Sequence, residues 1–453
     1  DDLDADLMRA YSASGAIHVL SVSGLHVGIL FVSLGFLLNF LKKRGLGGVL
    51  VVVALKLVIL WGYALITGLS PAVLRSAVMF SLFTLAEVMK RPPAGYNVLF
   101  ASAFLLLLLN PFLLASAGFQ LSYLAVGGLI YLQPRIERWW SVENKPGRWL
   151  WKVTATALAA QLVTFPLAVY YFHQFPVYFL LVNPAVIGLA ALVVPVGLGF
   201  LILEKVSYVS DLLAEITRGS FWLLNEVAAQ TERLPHAIWP NLHLTATETL
   251  GVYGLMGSVL ALFHTRKKAY AWVAAVLAVT LSGYAVVRKH TQHRQSGLVI
   301  HHLPRHTALS LVDGNTLTVL ADSELVQRPR LLDYACAGFW AERGIRYVRV
   351  LRLDSLQRSG DVRIEAAESG VFAFNWKRQP LVVLTLPLRQ ISSRRSPLVA
   401  MVRDRAGRRV FPVIEETTVV LDGSVTPRQV TRWRERGGPV YATAERGAWV
   451  AGF

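Results

Sequence analysis

The 453-residue chain has one cysteine, Cys336. No disulfide can form within it, and a cysteine-based zinc or iron–sulfur site is excluded. Charge is scarce. Only 16% of residues are charged, against about 25% in an ordinary soluble domain. Histidine stops at His306, and none follows through Phe453. No GxxxxGK[ST] loop is present, so no nucleotide-driven motor of that type is encoded here. The chain starts Asp1-Asp2 without methionine or a signal-peptide pattern, and so reads as a piece of a longer protein lacking its N-terminal part. What abounds is apolar: 54% of residues are hydrophobic, which argues against a simple soluble enzyme.

Crossing a bilayer takes about 20 apolar residues. Candidate stretches lie at 16–40, 46–67, 69–89, 95–109, 111–133, 150–171, 175–203, 245–264 and 269–287. Residues 206–233 instead alternate Leu212, Leu213, Ile216, Leu223, Leu224 and Val227 with Asp211, Glu215, Arg218, Glu226 and Gln230. That spacing predicts an amphipathic helix at the interface or on the bundle. From about 297 short β-rich runs take over at 297–303, 308–312, 316–321, 346–353, 371–374, 381–386, 417–421, 439–442 and 447–451. Helices are expected at about 328–342 and from Pro427 to Arg436, the latter capped by Thr426. The predicted fold is a polytopic α-helical membrane bundle of about eight to ten spans, some broken, over 1–290. A small soluble α/β domain follows over 291–453.

The net charge of +17 divides unevenly in density. The first 290 residues hold 21 Lys/Arg and 13 Asp/Glu; the last 163 hold 24 and 15, and all those bases but Lys377 are Arg. Basic loops at 42–44, 90–91, 135–148 and 266–268 would be cytoplasmic by the positive-inside bias. The chain start and the tail would then lie on the outer side, although Arg288-Lys289 falls on the wrong side for that topology.

Polar groups at membrane depth cost energy unless paired or wetted, and so mark function. In the first stretch His18, Ser21, Ser23 and His26 cluster, with Gly24 among them. On one continuous helix the two histidines would share a broad face. The plain alternative is hydrogen bonding that holds the bundle together. Arg75 stands in the apolar run LSPAVLRSAVMF, with no acid until Glu87. It would snorkel, pair with carbonyls freed by Pro71, face an aqueous cavity or meet a phosphate. Gln120, Ser122, Gln161 and Asn183 continue the polar series, and Pro71, Pro111, Pro166 and Pro184 are candidate helix breaks.

The string HVLSVSGLHVGIL, followed in order by TGLSPAVLRSAVM, NPFLLASAGFQLSYLAV, QLVTFPLAVYYF and NPAVIGLAALVVP, resembles the ComEC-type competence proteins over about 16–200. That resemblance implies an inner-membrane channel through which one strand of transforming DNA enters the cytoplasm. It implies partners as well: single-stranded DNA, the lipid bilayer, a DNA receptor and a cytoplasmic helicase or translocase that supplies energy. Family members commonly carry an N-terminal OB-like domain, absent here. Many end in a metallo-β-lactamase-like domain, and the tail occupies that place. A lactamase-type metal site needs an HxHxDH cluster. His290, His293, His301, His302 and His306 do not form one, since His301 and His302 are adjacent and the first carboxylate after His306 is Asp313. The tail therefore reads as a degenerate version of that domain, with no metal, no cofactor and no nuclease activity. The alternative reading of the helices is a small-solute or lipid transporter. An intramembrane hydrolase using Ser23 and His26 lacks an orienting acid nearby.

Overall fold

Among the described residues of the computed structural model, six helices are long and apolar enough to cross a bilayer, and three shorter apolar ones accompany them. The structure describes residues 5–20, 23–43, 45–90, 94–303, 306–327, 329–352, 363–368, 371–376, 379–384, 399–402, 418–422, 425–435 and 440–452. The chain divides into two units, 1–249 and 250–453.

The first unit is helical. It contains α1 (Ala5–Ala13), α2 (Ile17–Leu20), α3 (Gly24–Leu37), α4 (Asn39–Lys42), α5 (Gly45–Ile66), α6 (Pro71–Val88) and α7 (Gly95–Leu109). A 3-10 turn, Pro111–Ala115, leads to α8 (Ala117–Tyr131) and α9 (Gln133–Glu137). Then come α10 (Lys145–Phe172), α11 (Phe179–Leu203) and α12 (Ser207–Arg233). Two short strands, β1 (Phe175–Pro176) and β2 (Ile238–Trp239), pair antiparallel at the α10–α11 connection.

The expected first span does not run unbroken. α2 ends at Leu20, and Ser23 takes extended backbone angles as the N-cap of α3. Serine before a helix favours that role because its oxygen competes for backbone donors. His18 and His26 therefore sit on separate helices, and the shared-face argument for one helix does not hold. The prolines also sort differently from expectation. Pro71 opens α6 and Pro111 opens the 3-10 turn, where a missing N–H costs nothing. Pro166 and Pro184 stand inside α10 and α11, which stay continuous around them. Each removes one backbone bond without breaking its helix.

Small apolar cores join these helices. Val27, Leu60, Ala64, Val73 and Ala77 pack α3, α5 and α6 together. Tyr11, Val182, Val186, Leu224 and Ala228 join α1, α11 and α12. The amphipathic 206–233 segment is α12, and it buries Leu224 and Ala228 while Asp211, Glu215 and Glu226 stay out of the core.

The second unit holds α13 (Ala246–Thr265), nearly all of it beyond the division, and α14 (Lys268–Arg294). β3 (Ser296–Ile300), β4 (Ala308–Asp313), β5 (Thr316–Ala321), α15 (Ser323–Gln327), α16 (Pro329–Arg343) and β6 (Tyr347–Arg352) come next. Then follow β7 (Arg363–Glu368), β8 (Val371–Trp376), β9 (Gln379–Leu384), β10 (Val399–Val402) and β11 (Thr418–Leu421). Last are α17 (Pro427–Glu435), β12 (Val440–Ala442), α18 (Thr443–Arg446) and β13 (Trp449–Gly452). One mixed sheet runs β13-β3-β4-β5-β6 and the other β12-β11-β10-β9-β8-β7. Leu317, Val319, Leu325, Leu332, Cys336 and Trp340 share a core. The only cysteine is thus a core residue. β7 and β10 lie outside the runs expected from sequence, because their apolar signal is short.

Candidate functional site

Gly24, Arg75 and Ser122 come together where α3, α6 and α8 meet. α3 begins with a capping box. His26 Nδ1 accepts the Ser23 backbone N–H at 3.2 Å and lies 3.0 Å from Ser23 Oγ. That leaves the imidazole's Nδ1 occupied at the helix start. Gly24 is the first helical residue, and a Cβ there would lie 2.7 Å from Arg75 Nη2 and 2.7 Å from Ser76 Oγ. A side chain at that position would displace the guanidinium or the hydroxyl. Arg75 is 8% exposed. Its Nε donates to Ser122 Oγ at 2.6 Å, and its Nη1 approaches Met79 Sδ at 3.6 Å.

Arg75 therefore does not snorkel, nor does it find carbonyls freed by Pro71. It is packed between α3 and α8. Among the described residues no carboxylate pairs with it. A guanidinium offers five N–H donors in a planar fork. A buried guanidinium with unused donors has the chemistry to hold an anion, above all one with several oxygens.

The other sequence candidates divide. Gln120 is spent on structure: Nε2 donates to the Leu114 carbonyl at 2.7 Å and Oε1 accepts from Tyr171 at 3.1 Å. Gln161 lies half-buried on α10, away from the Arg75 cluster's bonds. Asn183 is buried on α11, and among the described residues its Oδ1 has no hydrogen-bond partner. His18 lies on α2. Ser21 falls outside the described residues.

Sequence reasoning missed Lys56. It stands near the middle of α5, buried, with Nζ 3.9 Å from Glu87 Oε2 and 4.4 Å from the centre of the Phe31 ring. Lys42 pairs with the other oxygen of Glu87. The acid that looked like the nearest mate for Arg75 thus belongs to two lysines. The missed signal was available: a lone Lys within twenty-two apolar-rich residues obeys the same logic as Arg75.

In the second unit His301, His302 and His306 each face another side chain. His301 is buried and lies 2.8 Å from Ser310 Oγ. Burial pushes its imidazole down to about 4. His302 lies 3.4 Å from Thr443 Oγ1, and His306 sits 3.5 Å from Asp322. Asp322 in turn accepts the backbone N–H groups of Thr307 and Leu325, each at 2.8 Å, while Thr307 Oγ1 donates to Asp422. Among the described residues no three His, Cys, Asp or Glu are grouped to hold a metal.

Comparison with known proteins gives two family matches. Residues 1–268 match the model of the "Competence protein" family, and residues 298–453 match that of the "ComEC C-terminal domain". The chain is 32% identical over 176 residues to ComE operon protein 3 of Bacillus subtilis (strain 168), covering 39% of this chain and 21% of that protein. It is 36% identical over 125 residues to an Aquifex aeolicus (strain VF5) protein described as uncharacterized, covering 28% of each. The chain thus spans under a third of these relatives' lengths. No solved structure matches.

Proposed function

Since this chain belongs to the competence protein family and is a multi-pass membrane protein, we propose that it acts in DNA uptake. Its helices pass one DNA strand across the cytoplasmic membrane. The observation that carries this reading beyond the family is Arg75, buried between apolar helices and, among the described residues, with unspent donors and no carboxylate partner. A phosphodiester supplies the charge and the acceptor oxygens it lacks. Ser23, Gly24, His26 and Ser122 form the wall around it, with His18 and Asn183 further candidates along the path.

The membrane part extends to about 290 and the degenerate lactamase-like domain from 291. The tail is on the outer side and does not hydrolyse DNA. Its arginine excess suits contact with the incoming strand. Energy comes from a cytoplasmic helicase or translocase, because the chain has no nucleotide-binding loop of the P-loop form.

The test is uptake of labelled DNA into the cytoplasm of the source organism. A deletion is expected to abolish it, and Arg75→Leu to lower it at least tenfold with the protein still at wild-type level in the membrane. Uptake unchanged in the deletion would refute the proposal. Saturable flux of a small anion in proteoliposomes, without binding of single-stranded DNA, would favour a solute transporter instead.

A further inference from the structure

Lys56 is harder to explain than Arg75. It lies near the centre of α5 and its side chain is 6% exposed. An ammonium has three N–H donors. Among the described residues Lys56 makes no hydrogen bond; its nearest anion, Glu87 Oε2, is 3.9 Å away, beyond hydrogen-bond reach. The other oxygen of that carboxylate contacts Lys42. Two ammonium groups share one carboxylate, so the cluster keeps one positive charge and unspent donors. A purely structural ion pair would close that gap and neutralise the site.

Location narrows what completes it. α3 and α6 run side by side in the same direction: Gly24 meets Arg75, Gly28 meets Phe80, and Lys42 beyond α3 meets Glu87. Lys56 enters this seam from α5 beside Gly35, where a Cβ would lie 3.5 Å from Nζ. Gly24 and Gly35 are about 16 Å apart along the helix. Between them Phe31 and Phe80 stack, with ring centres 4.7 Å apart and planes 21° apart. The order along the seam is cation, aromatic pair, cation. Backbone phosphates on cations and bases against rings is how proteins track a single strand without reading sequence. Lys56 is mid-helix in α5, and its Nζ reaches Gly35 and Glu87 in the last turns of α3 and α6; the succession of cation, aromatic pair and cation, rather than depth, favours a strand over a lipid headgroup.

We propose that Lys56 is a second phosphate station for the transported strand, on the same seam as Arg75, and that Glu87 competes for it between successive phosphates. This inference rests on the DNA-uptake reading. It makes Phe31 and Phe80 the stacking surface between the stations.

The test uses the full chain in phosphatidylcholine nanodiscs and a fluorescent oligothymidylate of about 20 nucleotides, long enough for one site of this kind. Binding is followed by anisotropy between about 50 and 200 mM salt. Lys56→Met is expected to weaken binding about tenfold, the loss of one charge-assisted contact. It also lowers the salt slope by about 0.7, the share of one phosphate on a single strand. Gly35→Leu keeps the charge but crowds Nζ, and is expected to weaken binding as well. Glu87→Gln is expected to tighten it.

Unchanged affinity and slope in Lys56→Met, while Arg75→Leu weakens binding, would make Lys56 a structural residue and overturn the inference alone. Loss of co-purified phosphatidylglycerol in Lys56→Met, with oligothymidylate binding intact, would assign the site to lipid and overturn it too. No binding by the wild-type chain would take down the DNA reading itself.

Discussion

An uncompensated cation at the centre of a membrane helix costs about 2.5–3.5 kcal/mol on insertion scales. This chain carries two buried cations within apolar helices of its first unit, Arg75 in the second turn of α6 and Lys56 near the middle of α5. Their partial partners, Ser122 for one and Glu87 for the other, hold geometry without satisfying every donor. In the second unit the buried ionisable side chain of interest is His301, which works in the opposite direction. It stays neutral in the fold, lowered by burial to about 4, against about 6.5 when unfolded. Its contribution is whole above pH 6.5 and is lost as pH falls from there towards 4, a difference of about 3 kcal/mol at most. Hydrogen-exchange protection of β3 to β5 in the intact protein, corrected for intrinsic rate, is expected to drop across that window. His301→Gln should flatten the drop, and an equal drop in that variant would remove His301 as its cause. Arg75 was legible in the sequence because a single Arg in LSPAVLRSAVMF breaks an apolar run. Lys56 obeys the same rule, but the long run around it drew attention to length rather than to the exception.

At the scale of elements, the amphipathic 206–233 segment was readable from spacing alone and is α12. What spacing did not reveal was its partner. Tyr11 OH on α1 donates to Asn225 Oδ1 on α12 at 2.7 Å, a contact across 214 residues of sequence. Tyr11 is 2% exposed and packs on Val182, Val186 and Leu224. Tyr11→Phe keeps that packing and strands the amide oxygen, so a loss of about 1 kcal/mol in unfolding free energy is expected. Denaturant titration of the detergent-solubilised protein measures it, and no change would mean that water replaces the hydroxyl. The break before α3 was legible only in part. The Ser-Gly pair is visible in sequence, yet the apolar residues on both sides hid the interruption, and whether Ser23 caps or lies mid-helix depends on His26 reaching back to it. β7 and β10 went unseen because each is completed by its neighbours: β7 pairs with β8, and β10 lies between β9 and β11.

For the whole molecule, the two family matches leave only a short stretch between 268 and 298, inside and just beyond α14. The motifs quoted from sequence fall within the first match, and the described members of the leading cluster (Ser23, Gly24, His26, Arg75 and Ser122) lie together in the first unit. In the proposed mechanism a DNA strand travels along the α3–α6 seam. That path is tested most directly by placing a photoreactive amino acid at Phe80, which faces the seam, or at Phe36, which is 87% exposed on the outer face of α3. Cells taking up labelled DNA are then irradiated. The label is expected to cross-link at position 80 and not at position 36. Equal cross-linking at both, or labelling at 36 alone, would contradict a path along this seam.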